Sequence, residues 1–433
     1  MEYWNPHAET MSRDELSILQ TSRLRSTVEK VYSRVPYYRA KMQAKGLFPG
    51  DIKTVDDLKL LPFVTKQDLR DTYPYGMFAE PLESISRIHA SSGTTGKQTV
   101  VGYTKRDLDL WSECMARCLV MAGASKLDIV QVCYGYGLFT GGLGAHGGAE
   151  MLGAAVIPAS TGNTRRQLTM MKDFGSTVLC CTPSYALYLG DSLKEYGLTK
   201  ADISLKIGIF GAEPWSVNMR KEIEDRLGIE AFDIYGLSEI MGPSVSQDCK
   251  CHKGLHVWED SFIPEIVDTE TLEPLPDGEK GELVITTIDK EGFPLIRFRT
   301  RDIGSLTHEK CECGRVHARM SKLSGRSDDM LIIRGVNVFP SQIESVLLES
   351  GEISPHYQII VDRVNNLDTM SVEIEVSEHM FQDFVKGMEN TENRIRAQIE
   401  SVLGISCKVR LVEPKSITRS EGKAKRVIDK RVF

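Results

Sequence analysis

No stretch of the 433-residue chain approaches the roughly 18 apolar residues that a membrane-crossing helix needs. A basic excess is missing too: 53 Lys and Arg stand against 60 Asp and Glu, a formal charge of −7. A nucleic-acid binder carries a basic face and a coat for anionic lipid carries a basic cluster, so the composition argues against both partners. The opening residues, MEYWNPHAETMSRDE, lack the basic-then-apolar pattern of a secretory leader. The expected compartment is therefore the cytoplasm, where ten cysteines need an account other than disulfides. Internal repeats and low-complexity stretches are also missing. What remains is an ordinary globular composition, long enough to divide into at least two domains.

Residues 13–43 place Leu16, Leu19, Leu24, Val28, Val31 and Val35 at helical spacing, with Ser12 and Asp14 at the start. This pattern predicts an amphipathic helix pair. From 106 to 240, helical stretches (106–122, 164–174, 184–196 and 216–227) alternate with short apolar runs. The runs are Ile129–Tyr134, Ala154–Pro158, Thr177–Cys181, Ile207–Phe210 and Ala231–Tyr235. Such alternation predicts an α/β fold with a largely parallel sheet flanked by helices. Residues 245–325 lose the alternation and are expected to form a β subdomain. Beyond Gly325, strand-like runs at 330–333, 357–362, 370–376 and 406–412 mix with helical text at 340–350 and 379–402. The expected division is a large domain over 1–326 and a small α+β module over 327–433.

Four segments offer chemistry. SSGTTGK (91–97) presents backbone and hydroxyl donors suited to a polyphosphate, without the glycine spacing of a P-loop; alone it also reads as a surface loop. DIYGLSE (233–239) places Gly236–Glu239 at the carboxyl end of a strand, where ligands sit in open α/β sheets. Glu239 there would suit Mg²⁺, or be a solvated carboxylate. RFRTRD (297–302) and GRSDD (325–329) bring Asp302, a candidate ribose acceptor, and Arg326, a candidate phosphate or ribose donor; surface salt bridges are the alternative. The tail RSEGKAKR (419–426) alone reads as a solvated basic terminus. In addition, YGYGLFTGGLG (134–144) combines flat aromatic walls with glycines that leave room, as a ring-bearing substrate needs; a core strand and glycine loop would look the same. Finally, Cys249, Cys251, His252, His256, Cys311 and Cys313 are six candidates for the four positions of a tetrahedral zinc site. The other cysteines (Cys114, Cys118, Cys133, Cys180, Cys181 and Cys407) sit in helical or strand-like text as buried small hydrophobes.

In this order the segments resemble the adenylate-forming enzymes, the acyl-CoA synthetase superfamily. The resemblance runs over nearly the whole chain and is closest to the phenylacetate–CoA ligase branch. It is carried by SSGTTGKQTVV (91–101), GYGLFTGGLG (135–144), FGAEPWS (210–216), GLHVWED (254–260) and DDMLIIRGVNVFPSQIE (328–344). It implies an enzyme that adenylates an aryl-acetic acid with Mg²⁺ and ATP, then passes the acyl group from AMP to CoA. A carrier-protein acceptor, or a non-catalytic nucleotide-binding relative, are the alternatives.

The resemblance also assigns residues. Ser92, Thr94, Thr95 and Gly96 would hold phosphates. Gly211, Ala212 and Glu213, with Asp233, Ile234, Tyr235, Gly236 and Ser238, would line the adenine and its surroundings. Glu239 would associate with Mg²⁺, Asp302 and Arg326 with the ribose, and Lys423 with the acid and the α-phosphate. Tyr136, Phe139 and Gly142 would border the aryl group, and Asp328 would be the hinge. Members of the branch imply Zn²⁺ held by Cys249, His256, Cys311 and Cys313, with Cys251 and His252 as substitutes, stapling the β subdomain near the hinge. A homodimer through the N-terminal helices is expected by analogy. Three departures stand out: Gln98 where the branch often has Pro, Arg301 where Gly is usual before the ribose aspartate, and Glu421 where Ser commonly precedes Gly-Lys.

Overall fold

Ser12 starts the first long helix by a reciprocal cap: its hydroxyl accepts from Glu15 N, and the Glu15 carboxylate accepts from Ser12 N at 2.8 Å. The short α1 (Pro6–Thr10) precedes it, α2 spans Arg13–Arg34, and Pro36 at the first position of α3 (Pro36–Ala44) prevents one continuous helix. Leu16, Leu24, Val28 and Val31 of α2 are fully buried. These positions come from a computed structural model that describes residues 2–91, 98–327, 331–333, 336–338, 340–349, 356–364, 367–376, 388–418 and 426–431. Among the described residues, no helix is long and apolar enough to cross a membrane.

After α4 (Lys66–Asp71), β1 (Arg87–Ser91) pairs antiparallel with β2 (Thr99–Tyr103), with Ser91 opposite Thr99. Then the alternation begins: α5 (Lys105–Ala122), β3 (Ile129–Val132), α6 (Gly141–Leu152), β4 (Ala155–Ile157), α7 (Thr164–Asp173), β5 (Val178–Cys181), α8 (Pro183–Glu195), β6 (Ile207–Gly211), α9 (Val217–Leu227) and β7 (Glu230–Tyr235). Strands β4, β3, β5, β6 and β7 pair in parallel, as their continuous apolar runs require. Helix α6 was not expected, because Gly141, Gly142 and Gly144 read as loop. Its glycines serve packing instead: a Cβ at Gly144 would lie 2.5 Å from the Trp111 ring of α5. The two helices therefore approach closely.

The 245–325 segment does not form one separate β unit. Strands β8 (Ser246–Asp248) and β9 (Leu255–Val257) extend the main sheet antiparallel. Further on, β13 (Leu306–Thr307) and β14 (Arg319–Met320) complete nine strands. Between these in sequence, β10 (Phe262–Val267), β11 (Gly281–Thr287) and β12 (Phe298–Gly304) form a four-stranded sheet with β15 (Gly325–Arg326). Parallel pairing needs a long crossover, and this Pro- and Gly-punctuated segment supplies only short turns, so its strands pair antiparallel in both sheets.

The C-terminal module has its own core, with Ile333, Ile343, Ile359, Val372, Ile395 and Ile399 fully buried. It contains the hairpin β16 (Leu331–Ile333) and β17 (Val336–Val338), α10 (Pro340–Glu349), and α11 (Met388–Leu403). Its sheet joins β18 (Tyr357–Val364), β19 (Leu367–Glu375), β20 (Lys408–Val412) and β21 (Val427–Asp429) in the order β20-β19-β18-β21.

Candidate active site and a cysteine–histidine cluster

The turn after β7 carries Glu239, whose side chain is buried. Its Oε1 accepts from Ser91 Oγ at 3.0 Å and Thr99 Oγ1 at 2.9 Å, the facing residues of the β1–β2 hairpin. Lys66 Nζ at the start of α4 completes the set at 3.0 Å. Burial pushes this carboxyl up, but the Lys66 ammonium and the hydroxyl donors outweigh burial and hold it below the usual glutamate range. Behind the turn lies Lys290, also buried, which donates to the carbonyls of Ile240 at 2.8 Å and Glu239 at 3.3 Å. Its Nζ lies 4.4 Å from the Tyr103 ring centre and 5.1 Å from that of Phe293. Burial pulls the Lys290 ammonium down to about 7, against the opposing charges of Asp107 and Glu239.

The aromatic segment meets the same turn. Ser238 Oγ lies 3.0 Å from Thr140 Oγ1, and the Ser238 carbonyl accepts from Tyr103 Oη at 3.2 Å. Tyr136 is half-buried and its Oη lies 3.2 Å from His146 Nδ1 on α6, while Phe139 is exposed. A Cβ at Gly142 would stand 2.6 Å from the Gly135 carbonyl and 3.0 Å from the Tyr136 ring, so only glycine permits this fold-back. Across the sheet, Tyr235 Oη donates to Asp302 Oδ2 at 2.7 Å. Register places Arg326 opposite Asp302, with the guanidinium 3.6 Å from Oδ1. Tyr235 and Arg326 thus fix the Asp302 carboxylate from two sides. Gly211, Ala212 and Ile234 run along the adjoining strand ends, where a Cβ on Gly211 would collide with the Ile234 carbonyl. Gly236 follows in the turn, pressed against Gly242 and Pro243. Glu213 accepts from Ser184 N at 2.7 Å at the start of α8, and Asp233 faces Lys322 at 3.9 Å.

Arg301 has φ +69°, the left-handed region that favours glycine. This explains why glycine is usual at that position. Here the arginine reaches Glu282 at 3.6 Å, and its carbonyl accepts from Ser327 N at 2.7 Å, next to the expected hinge. Ser92, Thr94, Thr95, Gly96, Asp328 and Lys423 lie outside the described residues.

Cys249, His256, Cys311 and Cys313 come together, all buried, with ligand atoms within 4.8 Å of one another. The Cys249 and Cys311 sulfurs are 3.7 Å apart, and Cys313 Sγ is 3.3 Å from His256 Nε2. Zinc–sulfur bonds of about 2.3 Å in a tetrahedron require sulfurs roughly 3.8 Å apart, so the donor set fits Zn²⁺. His256 Nδ1 lies 3.3 Å from the His317 carbonyl and can donate to it, which aims Nε2 at the sulfurs. Of the two substitutes, Cys251 lies beside the cluster, its thiol meeting those of Cys249 and Cys311, and His252 sits 2.9 Å from Asp248. The 311–319 knuckle also contacts the N-terminal segment. Tyr3 Oη donates to the Cys313 carbonyl at 2.9 Å, His317 Nε2 donates to Ala8 O at 2.9 Å, and Arg315 pairs with Glu9 at 2.7 Å with both side chains buried.

A family model described as AMP-binding enzyme matches residues 37–288, and one described as AMP-binding enzyme C-terminal domain matches 335–431. The chain is 48% identical to a phenylacetate-coenzyme A ligase of Thermus thermophilus, covering 99% of each, and 52% identical to one of Escherichia coli, covering 98% of this chain and 97% of that one. The chain belongs to the phenylacetate–coenzyme A ligase family.

Solved structures add a conformation. A 2-hydroxyisobutyryl-CoA ligase described in the postadenylation state, in complex with R3-HIB-AMP, superposes with TM-score 0.93 at 28% identity, over 99% of this chain and 92% of that one. The same ligase in the thioesterification state, with 2-HIB-AMP and CoA, gives 0.74 over the same coverage at 29% identity. Since both are one protein, the fall reports a different placement of its parts, and this chain adopts the first placement. Around Glu239, two lysines escaped the sequence reading. Lys290 gave no signal, since it stands in charged turn text (Asp289-Lys-Glu291). Lys66 gave one: Thr65-Lys-Gln-Asp68 is a helix-start pattern, and a cation at a helix start opposes the dipole.

Proposed function

We propose that this enzyme adenylates an aryl-acetic acid, phenylacetate being the favoured class, and transfers the acyl group to CoA. The near-full-length identity to phenylacetate-coenzyme A ligases carries the reading. The buried acid, hydroxyl and ammonium groups around Glu239 support it. In the first half-reaction a substrate carboxylate oxygen attacks the α-phosphorus of ATP, and pyrophosphate leaves. Two anions must meet, so the site has to supply positive charge and fixed donors. Ser91 and Thr99 fix the Glu239 carboxylate, and Lys290 fixes its backbone. Glu239 would hold Mg²⁺, which would neutralise phosphate charge. Asp302, held by Tyr235 and Arg326, is set to accept from ribose hydroxyls. Lys423 is proposed to bridge the acid and the α-phosphate, and Asp328 to be the hinge. In the second half-reaction the CoA thiol attacks the acyl carbonyl, and AMP leaves with the bonding pair. The glycine-folded segment holding Tyr136 and Phe139 would border the ring.

The Cys249–His256–Cys311–Cys313 cluster is proposed to hold structural Zn²⁺. Its chemistry is cross-linking: it ties β9 to the 311–319 knuckle and, through that, seats the N-terminal segment.

The test is acid-dependent ATP–pyrophosphate exchange over a panel of aryl-acetic, benzoic and aliphatic acids, with thioester formation followed on adding CoA. Exchange should be strongest with aryl-acetic acids, and CoA should yield a thioester. No exchange with any acid would refute the reading.

A further inference from the structure

We propose that His89 is a positioning residue for the acid substrate: through the Leu138 carbonyl it fixes the segment bearing Tyr136 and Phe139 against the strand that leads to Glu239. The inference deepens the adenylation reading above and rests on it, since the aryl wall belongs to that reading. Three observations carry it. First, two consecutive residues of β1 hold one carbonyl. His89 Nδ1 lies 3.0 Å from Leu138 O, and Ala90 N donates to the same oxygen at 3.0 Å. The next residue, Ser91, donates to Glu239 Oε1, also at 3.0 Å. Three successive positions therefore set the spacing between the acid segment and the buried glutamate.

Second, no regular structure defines the course of that segment. Residues 133–140 belong to no helix or strand, and the Leu138 and Phe139 side chains are exposed. A tether at Leu138, between Tyr136 and Phe139, therefore bears on where both rings stand.

Third, the histidine is a costly choice for its position. It is 1% exposed and packs T-shaped against Tyr103 at 5.7 Å and Trp111 at 5.5 Å, whose own rings stack at 4.9 Å. Its Nε2 is sealed and, among the described residues, has no hydrogen-bond partner. A buried acceptor left unpaired costs stability, so packing alone would favour an apolar side chain. A carbonyl only accepts, so Nδ1 carries the proton. Burial holds the ring below the ordinary histidine range, with Arg87 and Lys290 adding to that and the Leu138 bond opposing it. The side chain is thus a neutral donor wedged between two aromatic rings.

The consequence is geometric. An acid whose ring rests on a fixed wall presents its carboxylate at a fixed place, and a shift of about 1 Å in reacting atoms is costly. Asp302 and Arg326 stand in a different sheet, so loss of the tether should fall on the acid and not on the nucleotide.

His89→Leu, His89→Gln and His89→Asn test this by pyrophosphate-exchange kinetics, with thermal unfolding to establish folding and amide hydrogen exchange to read the tether. Asn carries a side-chain N–H at the place of Nδ1, Gln carries it one bond further out, and Leu has none. His89→Leu should raise the KM for an aryl-acetic acid about tenfold, the loss of one buried hydrogen bond, and leave the KM for ATP within about twofold. Amides of 134–140 should exchange faster in it, while those of β6 keep their wild-type rate. His89→Asn should recover most of both effects, and His89→Gln should behave as His89→Leu does. Should His89→Leu not fold, Gln against Asn makes the same comparison. A residue that merely filled the core would rank the other way, since Leu suits an apolar site better than Asn. Wild-type acid KM in the folded Leu or Gln variant, equal rises for acid and ATP, or an Asn variant worse than Leu would overturn the proposal. If the wild type itself exchanged with no acid, the adenylation reading would fall, and amide exchange in 134–140 would still decide the tether.

Discussion

Two buried acids in this molecule are neutralised in opposite ways. Glu9 pairs with Arg315, and both side chains are sealed, at 0% and 1% exposure. Glu239 pairs with Lys66, which remains open to solvent on one side. The first arrangement is closed by two further contacts between the N-terminal segment and the knuckle, from Tyr3 and His317. The second shares one oxygen among three donors, Ser91, Thr99 and Lys66. A sealed pair holds two pieces of chain together. A half-open pair leaves one charged partner within reach of solvent.

Breaking the sealed pair should have the largest effect on stability. Arg315→Met leaves Glu9 as an uncompensated buried charge and should cost about 3–5 kcal/mol. Denaturant unfolding measures this, and adding Glu9→Leu should recover most of it if desolvation of Glu9 is the cause. Breaking the open pair from the acid side should act on catalysis instead. Glu239→Gln should lower acid-dependent pyrophosphate exchange by about 10²–10³-fold, with far less loss of stability than Arg315→Met.

Lys290 sharpens the contrast through pH. Its folded value, about 7, lies below the ordinary lysine value, mainly because burial disfavours the ammonium. Between pH 7 and 10 the unfolded chain therefore binds the extra proton, so this group favours the folded state more as pH rises. Relative to Lys290→Met, wild-type stability should climb by roughly 1 kcal/mol per pH unit from pH 7 to 9. A flat difference would mean the ammonium stays charged in the fold. The smallest effect is expected at Tyr235→Phe, which removes one hydrogen bond to Asp302. It should raise the KM for ATP about fivefold, near 1 kcal/mol, with the KM for the acid unchanged.

Much of the architecture was legible because each parallel strand is a continuous apolar run between helical stretches. Helix α6 was not, since glycine is a poor helix former and the close approach to Trp111 that selects it is a tertiary fact. The 245–325 segment looked like a separate β unit because hairpin text does not state which sheet its strands will join. At the cysteine–histidine cluster, spacing left six candidates. The pairing of β9 with β14 sets His256 beside the 311–313 loop, and His252 turns away to Asp248. Lys290 was hidden because a lysine in polar text reads as solvated, and its burial depends on partners far along the chain. Arg301 was visible as a departure, and only its backbone angle explains the glycine it replaces.

Hydrogen exchange of the full chain with and without magnesium and ATP tests the difference between the two clusters most directly. Segments 64–71, 87–91, 99–103 and 236–241 should exchange more slowly with nucleotide, while 2–16 and 309–319 stay unchanged. Protection confined to 2–16 and 309–319, with none around Glu239, would contradict the assignment of one cluster to nucleotide and the other to structure.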